Sequence, residues 1–233
     1  MAGDNMNAHK SSILALLLVL ALSVVGIVYA HWSDMVTIQG DIKMGSLTLA
    51  FDWAEPPHST EYYWNNSQLT EGEWLGKDVG NCSSWYEDEI TDVHTGKKGY
   101  KKLVIVINNA YPQYVVRTTF KLHNIGTIPL CLVGFNITGE KRNATGYLIY
   151  NLLWYDPDGD YIGDLYEDVN NNGVVDAGDI KVIWLEITNQ LPYQIDPCRT
   201  HKCEIDLEFY QEAEECHTYK IYIEVVAIQW NKA

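Results

Sequence analysis

The chain has 233 residues, of which 47% are hydrophobic, and this is enough to bury a sizeable core in one large all-β domain or two small ones. Its formal net charge of −15 argues against nucleic acid as a partner, because phosphate binding requires a basic surface. The 16 tyrosines and 8 tryptophans favour strands over helices.

Residues 1–30 have the pattern of a secretory signal peptide. A polar start is followed by apolar or small residues at 13–30, and the chain turns polar again at His31. Cleavage near Ala30 would release residues 31–233 as one exported domain at the extracellular cell surface, with signal peptidase as a partner during export. A retained membrane anchor is the alternative, because the apolar run can nearly span a bilayer. Membrane contact is expected only through this segment, if it stays uncleaved.

Beyond the signal, the periodicity predicts strands and little else. Residues 36–52 predict two short strands, whereas residues 53–98 lose the period and predict a long loop insertion. At 116–122 the side chains alternate between two faces, which is typical of a half-buried strand. The remaining predicted strands are 100–108, 130–138, 146–155, 181–188, 203–210 and 218–230. About eight or nine strands favour an antiparallel, jelly-roll-like β-sandwich.

Residues 156–179 are the most unusual stretch of the chain. They hold seven Asp, one Glu and three Asn, with no Lys or Arg. Carboxylates this close repel one another strongly at neutral pH unless cations lie between them. We therefore predict that this stretch is a calcium-binding insert on the domain, with a solvated acidic turn as the alternative.

The second half of the stretch has the spacing of a calcium loop. Oxygen-bearing side chains fall at loop positions 1, 3, 5, 9 and 12, a glycine falls at position 6, and a carbonyl at position 7 completes the set. In that order the predicted ligands are Asp168, Asn170, Asn172, Asp176 and Asp179, with the turn at Gly173 and the carbonyl of Val174. The segment resembles a dockerin repeat, in which Asp also occurs at the last position.

The first half predicts a second calcium ion by the same spacing. Its expected ligands are Asp156, Asp158, Asp160, the Ile162 carbonyl, Asp164 and Glu167. Tyr161 replaces the usual glycine at position 6, so the backbone turn of this loop departs from the pattern. One Ca²⁺ is expected at the second half, and two or more ions are reasonable on charge balance.

The sequons and cysteines fit an exported protein. The glycosylation candidates are Asn65, Asn81, Asn136 and Asn143. Of five cysteines, Cys198 and Cys203 are the candidate pair for a disulfide, since disulfides are the default in this compartment. Zinc held by Cys198, His201, Cys203, Cys216 and His217 is the alternative, although the spacing matches no common zinc module.

Motifs for catalysis are missing from the sequence. It contains no His-Glu-x-x-His, no Gly-x-Ser-x-Gly and no phosphate-binding glycine-rich loop. Pairs of acidic residues such as Glu87 and Glu89 are far more often solvated than catalytic. We therefore predict that the protein is not an enzyme.

A series of short motifs runs through the mature chain. Asn-Ala-Tyr-Pro at 109–112 precedes a strand, which is followed by Asn-Ile-Gly-Thr-Ile-Pro at 124–129. The signal end at 30–34, Gly-Ser-Leu-Thr-Leu at 45–49 and Ala-Ile-Gln-Trp-Asn at 227–231 complete the order. Together they resemble the TasA/camelysin-like family of exported β-sandwich proteins, which carry a distinctive signal peptide. The insertions at 53–98 and 156–179 lie outside this core, and they resemble those of archaeal members that build bundling pili and the hollow tubules called cannulae.

The resemblance implies a structural subunit of an extracellular filament or tubule, as in a biofilm matrix. Family members polymerise head to tail by donor-strand complementation, in which the mature N-terminal segment of one subunit fills a strand vacancy in the next. Here the donor strand is expected at 31–42, with Trp32, Val36, Ile38 and Ile42 on one face. The partner would thus be a second copy of the chain.

Two other functions stay open from the sequence. The chain could be a monomeric, calcium-dependent surface adhesin or binding module. Some relatives have also been described as metallopeptidases, but this sequence supplies no matching zinc site.

Overall fold

The computed structural model describes residues 15–23, 44–65, 67–72, 80–188 and 191–232. The chain divides into two compact units, residues 1–43 and residues 44–233. In the first unit, residues 15–23 are helical and their leucines are exposed. In the described part of the chain, no helix has both the length and the apolar character needed to cross a membrane.

The second unit is built from strands. Their bounds are β1 Leu49–Asp52, β2 His58–Asn65, β3 Gln68–Glu71, β4 Asn81–Thr91, β5 Lys98–Asn108, β6 Tyr114–Asn124, β7 Leu130–Asn143, β8 Leu148–Tyr155, β9 Ile162–Glu167, β10 Ile180–Ile187, β11 Tyr193–Ile195, β12 Thr200–Phe209 and β13 His217–Gln229. A short 3-10 helix, Trp230–Lys232, follows β13. All strand pairs are antiparallel, so the expected all-β class is confirmed.

Nine of these strands close on themselves. Hydrogen-bonded neighbours run in the order β1-β5-β13-β7-β8-β9-β10-β12-β6, and β6 pairs again with β1. Phe51 makes the closure, because it pairs with Tyr100 on one side and with Leu122 on the other. This order differs from the two separate sheets that a jelly-roll-like sandwich would have, since hydrogen bonds continue all the way round.

Strand alternation places the core inside the closed sheet. In β6 and β12, buried side chains alternate with half-buried polar ones, and Phe120 of β6 lies opposite Cys203 of β12. The same alternation runs along the first part of β13 through the buried Tyr219, Ile221 and Ile223. These are the strands whose period-2 pattern was clearest in the sequence.

The predicted long loop at 53–98 is wrong. The segment contains β2, β3 and β4, of which β4 is eleven residues long. β4 pairs only with β5 in the described part of the chain, so it is an edge strand. Edge strands carry charged and polar side chains on their open side, which explains why its sequence lacks apolar alternation.

The acidic stretch at 156–179 is likewise not a single insert. Its middle, Ile162–Glu167, is β9, a member of the closed sheet that pairs with β8 and β10. Two separate acidic loops therefore flank β9, one at 156–161 and one at 168–179. The prediction of one continuous insert over 156–179 is therefore wrong.

Residues 46–48 form the entry segment, where the chain enters the closed sheet. The carbonyls of Ser46 and Thr48 accept hydrogen bonds of 3.0 Å from the N–H groups of Thr127 and Ile125. The Thr48 hydroxyl donates a 2.7 Å hydrogen bond to the buried carboxylate of Asp92. Main-chain and side-chain bonds together hold residues 46–48 against the turn at 125–128 and against Asp92.

Candidate functional site

The acidic loop at 168–179 is folded around its own side chains. Asp168 is buried and begins the loop directly after β9. Its two carboxylate oxygens accept 3.0 Å hydrogen bonds from the N–H groups of Asn172 and Gly173. Gly173 has a φ of +76°, a left-handed conformation that glycine adopts without strain. The chain therefore turns at Gly173, the residue at loop position 6 where the sequence predicts the turn.

The other predicted side chains of this loop contact one another. Asp176 accepts hydrogen bonds from the side-chain amides of Asn170 and Asn172, at 2.9 and 2.8 Å. Asp179 accepts from the N–H groups of Val169 and Asp176, at 3.1 and 2.9 Å, and so ties the end of the loop to its start. Hydrogen bonds from the Gly178 main chain and then from the two amides hold the pKa of Asp176 below its ordinary value.

This loop fits a hard cation by its donor set. Its three carboxylates and two amides offer only oxygen and can meet the six to eight oxygen ligands of Ca²⁺ with the help of a carbonyl and water. Each of the three carboxylates also accepts hydrogen bonds from N–H groups of the loop itself. Calcium binding at this loop stays a prediction, and the loop geometry is compatible with it.

The acidic loop at 156–161 is arranged differently. Ligand oxygens of Asp156, Asp158 and Asp160 lie within 4.8 Å of one another. Asp156 accepts hydrogen bonds from the N–H groups of Gly159 and Tyr161, both at 2.9 Å. The hydrogen bond that protonated Asp158 donates to Asp156, together with the charge of Asp160, raises the pKa of Asp158 above its ordinary value. Three of the six predicted first-half ligands thus come together.

The other three predicted ligands lie elsewhere, on β9. Ile162 pairs with Glu186 of the neighbouring strand. Asp164 contacts the Lys181 ammonium at 2.8 Å and accepts a 2.9 Å hydrogen bond from the Tyr210 hydroxyl. A twelve-residue calcium loop spanning the first half is therefore wrong, because an extended strand carries positions 7 to 12 away from the cluster.

Glu167, the last of these three, is held in a buried ion pair. Its carboxylate lies 2.8 Å from the ammonium of Lys141, and the two side chains are 2% and 1% exposed. Burial raises the pKa of Glu167 above its ordinary value, although the ammonium opposes this shift. Glu167 cannot serve as a calcium ligand without breaking this pair.

A groove opens where β1 and β13 leave β5. β1 pairs with β5 as far as Tyr100, and β13 pairs with β5 as far as Lys102. Beyond these residues β1 and β13 diverge from each other. The cavity between them has a volume of about 480 Å³. We call it the β1/β13 groove, and its lining residues are Leu47, Thr48, Leu49, Ile90, Lys101, Glu224, Val225 and Ala227.

The core is incompletely covered at this groove. Along β13 the buried alternation ends at Ile223, and the next residues of the same face, Val225 and Ala227, are only half-buried. Across the groove Leu47 is 38% exposed. Among the described residues, β13 beyond Glu224 pairs only with β7, so one main-chain edge has no strand partner there. Sequence reasoning missed this groove, since it arises from the divergence of two strands distant in the chain.

The predicted disulfide is also wrong. No disulfide joins Cys198 to Cys203. Cys203 is buried in the core on β12, whereas Cys198 is exposed in the preceding turn. His201 stacks on Tyr193 with ring centres 3.8 Å apart. Across the described ranges, the thiols and imidazoles of the zinc alternative form no common cluster.

The glycosylation candidates lie in three settings. Asn81 and Asn136 are exposed on β4 and β7, and Asn65 ends β2. Asn143 is half-buried and accepts a 2.8 Å hydrogen bond from the Thr145 hydroxyl of its own sequon. Their modification stays a prediction. The expected donor strand at 31–42, with Trp32, Val36, Ile38 and Ile42, lies outside the described residues.

Comparisons with known proteins assign no family. No protein-family model matches the chain, and no curated protein matches it. Among solved structures, the envelope protein VP37 of White Spot Syndrome Virus aligns over 78% of this chain and 99% of its own, at 10% identity and a TM-score of 0.20. A TM-score this low does not indicate a common fold.

Proposed function

We propose that this chain is a secreted structural subunit of an extracellular filament or tubule. The mature N-terminal strand of one subunit would occupy the β1/β13 groove of the next, in a closed-sheet domain rigidified by calcium. The proposal rests on one observation. At the β1/β13 groove the core is left uncovered, and the main-chain edge beside it has no strand partner among the described residues.

A strand is the occupant that suits this groove. An added strand satisfies N–H and C=O groups along the open edge of β13, and every second side chain enters the space beside the core. The half-exposed Val225 and Leu47 would be covered by apolar side chains of that strand. Burying apolar area stabilises by about 25 cal/mol per Å², so the large apolar side chains of the strand would offset the entropic cost of association.

The segment before the entry segment has the matching pattern. Trp32, Val36, Ile38 and Ile42 are separated by even numbers of residues, so in an extended chain they share one face. The entry segment that follows this region in the chain is held to the domain by bonds to Thr127 and Asp92. Insertion into a second copy repeats at each subunit, and a head-to-tail contact that does not close gives a filament.

Calcium would act within the subunit at the 168–179 loop. A ligand that binds only the folded state stabilises it by about 2.7 kcal/mol at a concentration a hundred times its dissociation constant. The loop joins β9 to β10, both members of the closed sheet, so holding it rigid holds two strands in register.

The decisive experiment is electron microscopy of the purified mature protein with and without calcium. We expect filaments or tubules from the native chain and soluble monomers after deletion of residues 31–40. Filaments that survive the deletion would exclude the donor role of this segment. A native chain that stays monomeric in calcium would instead support a surface adhesin.

Two adjacent valines offer a matched pair of variants for the groove. Val225→Lys places a charge in the groove and should abolish polymers, because an unpaired ammonium is costly to bury beneath a docked strand. Val226→Lys introduces the same charge at a neighbouring residue that is 43% exposed and outside the groove lining, and should polymerise normally. Circular dichroism checks that both variants are folded. Equal polymerisation of the two would contradict this choice of groove.

A further inference from the structure

Lys141 is the most deeply buried cation among the described residues that the proposed function leaves unused. It lies on β7 with 1% of its side chain exposed. Its ammonium contacts two carboxylates, Glu167 at the end of β9 and Glu214 in the turn before β13, each at 2.8 Å. A lysine is almost never fully buried unless paired, so the cluster requires an explanation.

Aromatic rings enclose the cluster on both sides. Tyr150 of β8 and Tyr219 of β13 lie directly opposite Lys141 in the two adjoining ladders. Their ring centres are 5.6 and 5.9 Å from the Lys141 Nζ. The Tyr219 hydroxyl accepts a 3.0 Å hydrogen bond from the Glu214 N–H, which fixes the turn that carries the second carboxylate. The Lys141–Glu167 contact is buried, whereas the Glu214 side chain is 62% exposed at the edge of the cluster.

We propose that Lys141 and Glu167 condense to an intramolecular isopeptide bond, with Glu214 as the proton-transferring group. The nucleophilic nitrogen and the acceptor carboxyl are already in contact, and holding two reactants together in a dry site removes most of the entropic barrier to their reaction. Two buried charges become one neutral amide, which removes the desolvation penalty of the ion pair.

The step balances without any other reactant. Glu214 takes a proton from the Lys141 ammonium, and the neutral Nζ attacks Cδ of Glu167. Glu214 then returns the proton to a departing oxygen of Glu167, the C–O bond breaks, and one water leaves after receiving the second proton of the nitrogen. One C–N bond replaces one C–O bond, the charges of ammonium and carboxylate cancel, and no atom is oxidised or reduced. The product ties β7 to the end of β9, next to Asp168.

Intact mass measurement tests the bond directly. The full chain is produced in a bacterial host that adds no N-linked sugars, its N-terminus is determined, and ions are stripped with EDTA in acid. We expect its mass to lie below the sequence mass by one water, and a protease digest to contain the Lys141 and Glu167 peptides joined. A chain at full sequence mass overturns the proposal. A dehydrated chain whose two peptides separate overturns it too, because the water was lost elsewhere.

Variants assign the role of Glu214. Glu214→Gln keeps the size of the side chain but cannot carry the proton, so its mass should equal the sequence mass. Glu215→Gln, at the exposed next residue, should lose one water like the native chain. A joined peptide pair in Glu214→Gln would exclude the role of Glu214. The bond is independent of polymerisation, so monomers with the bond, or filaments without it, separate this proposal from the proposed function.

Discussion

Two acidic loops flank β9, and they solve the same electrostatic problem in different ways. In the loop at 168–179 the carboxylates turn towards main-chain N–H groups, with both oxygens of Asp168 and of Asp179 accepting such bonds. In the loop at 156–161 Asp156 and Asp160 also accept main-chain N–H bonds, but the carboxylate of Asp158 lies against both of them. The first arrangement stabilises negative charge, and the second concentrates it.

The two loops should differ in how far their shape depends on a cation. A carboxylate that accepts N–H bonds is stabilised in its charged form, so we expect the 168–179 loop to keep its fold in EDTA. Carboxylates that face one another are stable only when a proton or a cation lies between them. We therefore expect the two loops to respond in opposite ways to the same substitutions.

The largest difference is expected on removing Asp168. Asp168→Ala removes a buried carboxylate that accepts two main-chain hydrogen bonds, so we expect a loss of about 1.5–3 kcal/mol in unfolding free energy even in EDTA, and a loss of the added stabilisation by calcium. Asp158→Ala, at an exposed residue, should leave stability in EDTA nearly unchanged. Urea unfolding with EDTA and with calcium measures both. Equal losses for the two variants would contradict the preformed loop.

A smaller effect is expected at the two turn glycines. Gly173 and Gly159 have φ values of +76° and +75°, and nothing within 4 Å would clash with an added Cβ at either residue. Each Gly→Ala change should therefore cost a similar amount, about 1–2 kcal/mol, from the left-handed backbone alone. Only Gly173→Ala should also weaken calcium binding in a calorimetric titration. A weaker calcium titration for Gly159→Ala instead would reverse the assignment of the two loops.

The smallest effect is a contrast in pH dependence. The pKa of Asp158 is raised in the folded state, so folding takes up a proton there and becomes more favourable as pH falls through that pKa. The pKa of Asp176 is lowered, so its contribution is present at neutral pH and is lost as pH falls. In EDTA at pH 7, Asp158→Asn should slightly raise Tm and Asp176→Asn should lower it. Shifts of the same sign would show that the loops are electrostatically alike.

The sequence predicts the strands that are buried on one face and misses those that are not. The alternation at 116–122 and at 203–210 is visible because apolar side chains enter the core every second residue. β4 lies at an edge with exposed Trp85 and Glu89, so no such pattern arises. β9 is hidden for another reason, since Asp164 and Glu167 are satisfied by Lys181 and Lys141 from other strands.

Among the candidate sites, too, the sequence predicts the local arrangement and misses the one that depends on distant strands. The 168–179 loop is local, so residue spacing alone places Asp168 and Gly173 correctly in one turn. Three of the six first-half ligands, Ile162, Asp164 and Glu167, fail because spacing carries no information about whether Ile162 begins a strand. The Cys198–Cys203 bridge fails because β12 turns Cys203 inward to the core. The β1/β13 groove depends on where two distant strands part from β5, which no local pattern records.

The entry segment would decide how a polymer of this chain bears tension. If the segment before Met44 is anchored in a neighbouring molecule, a pull along the fibre reaches the closed sheet through Ser46 and Thr48. Their carbonyls accept main-chain bonds from residues 125–128, so a pull on this segment would load these bonds together rather than one after another. Thr48 passes part of that load to the buried Asp92. The subunit would then resist stretching by shear, the geometry in which hydrogen bonds must break in parallel.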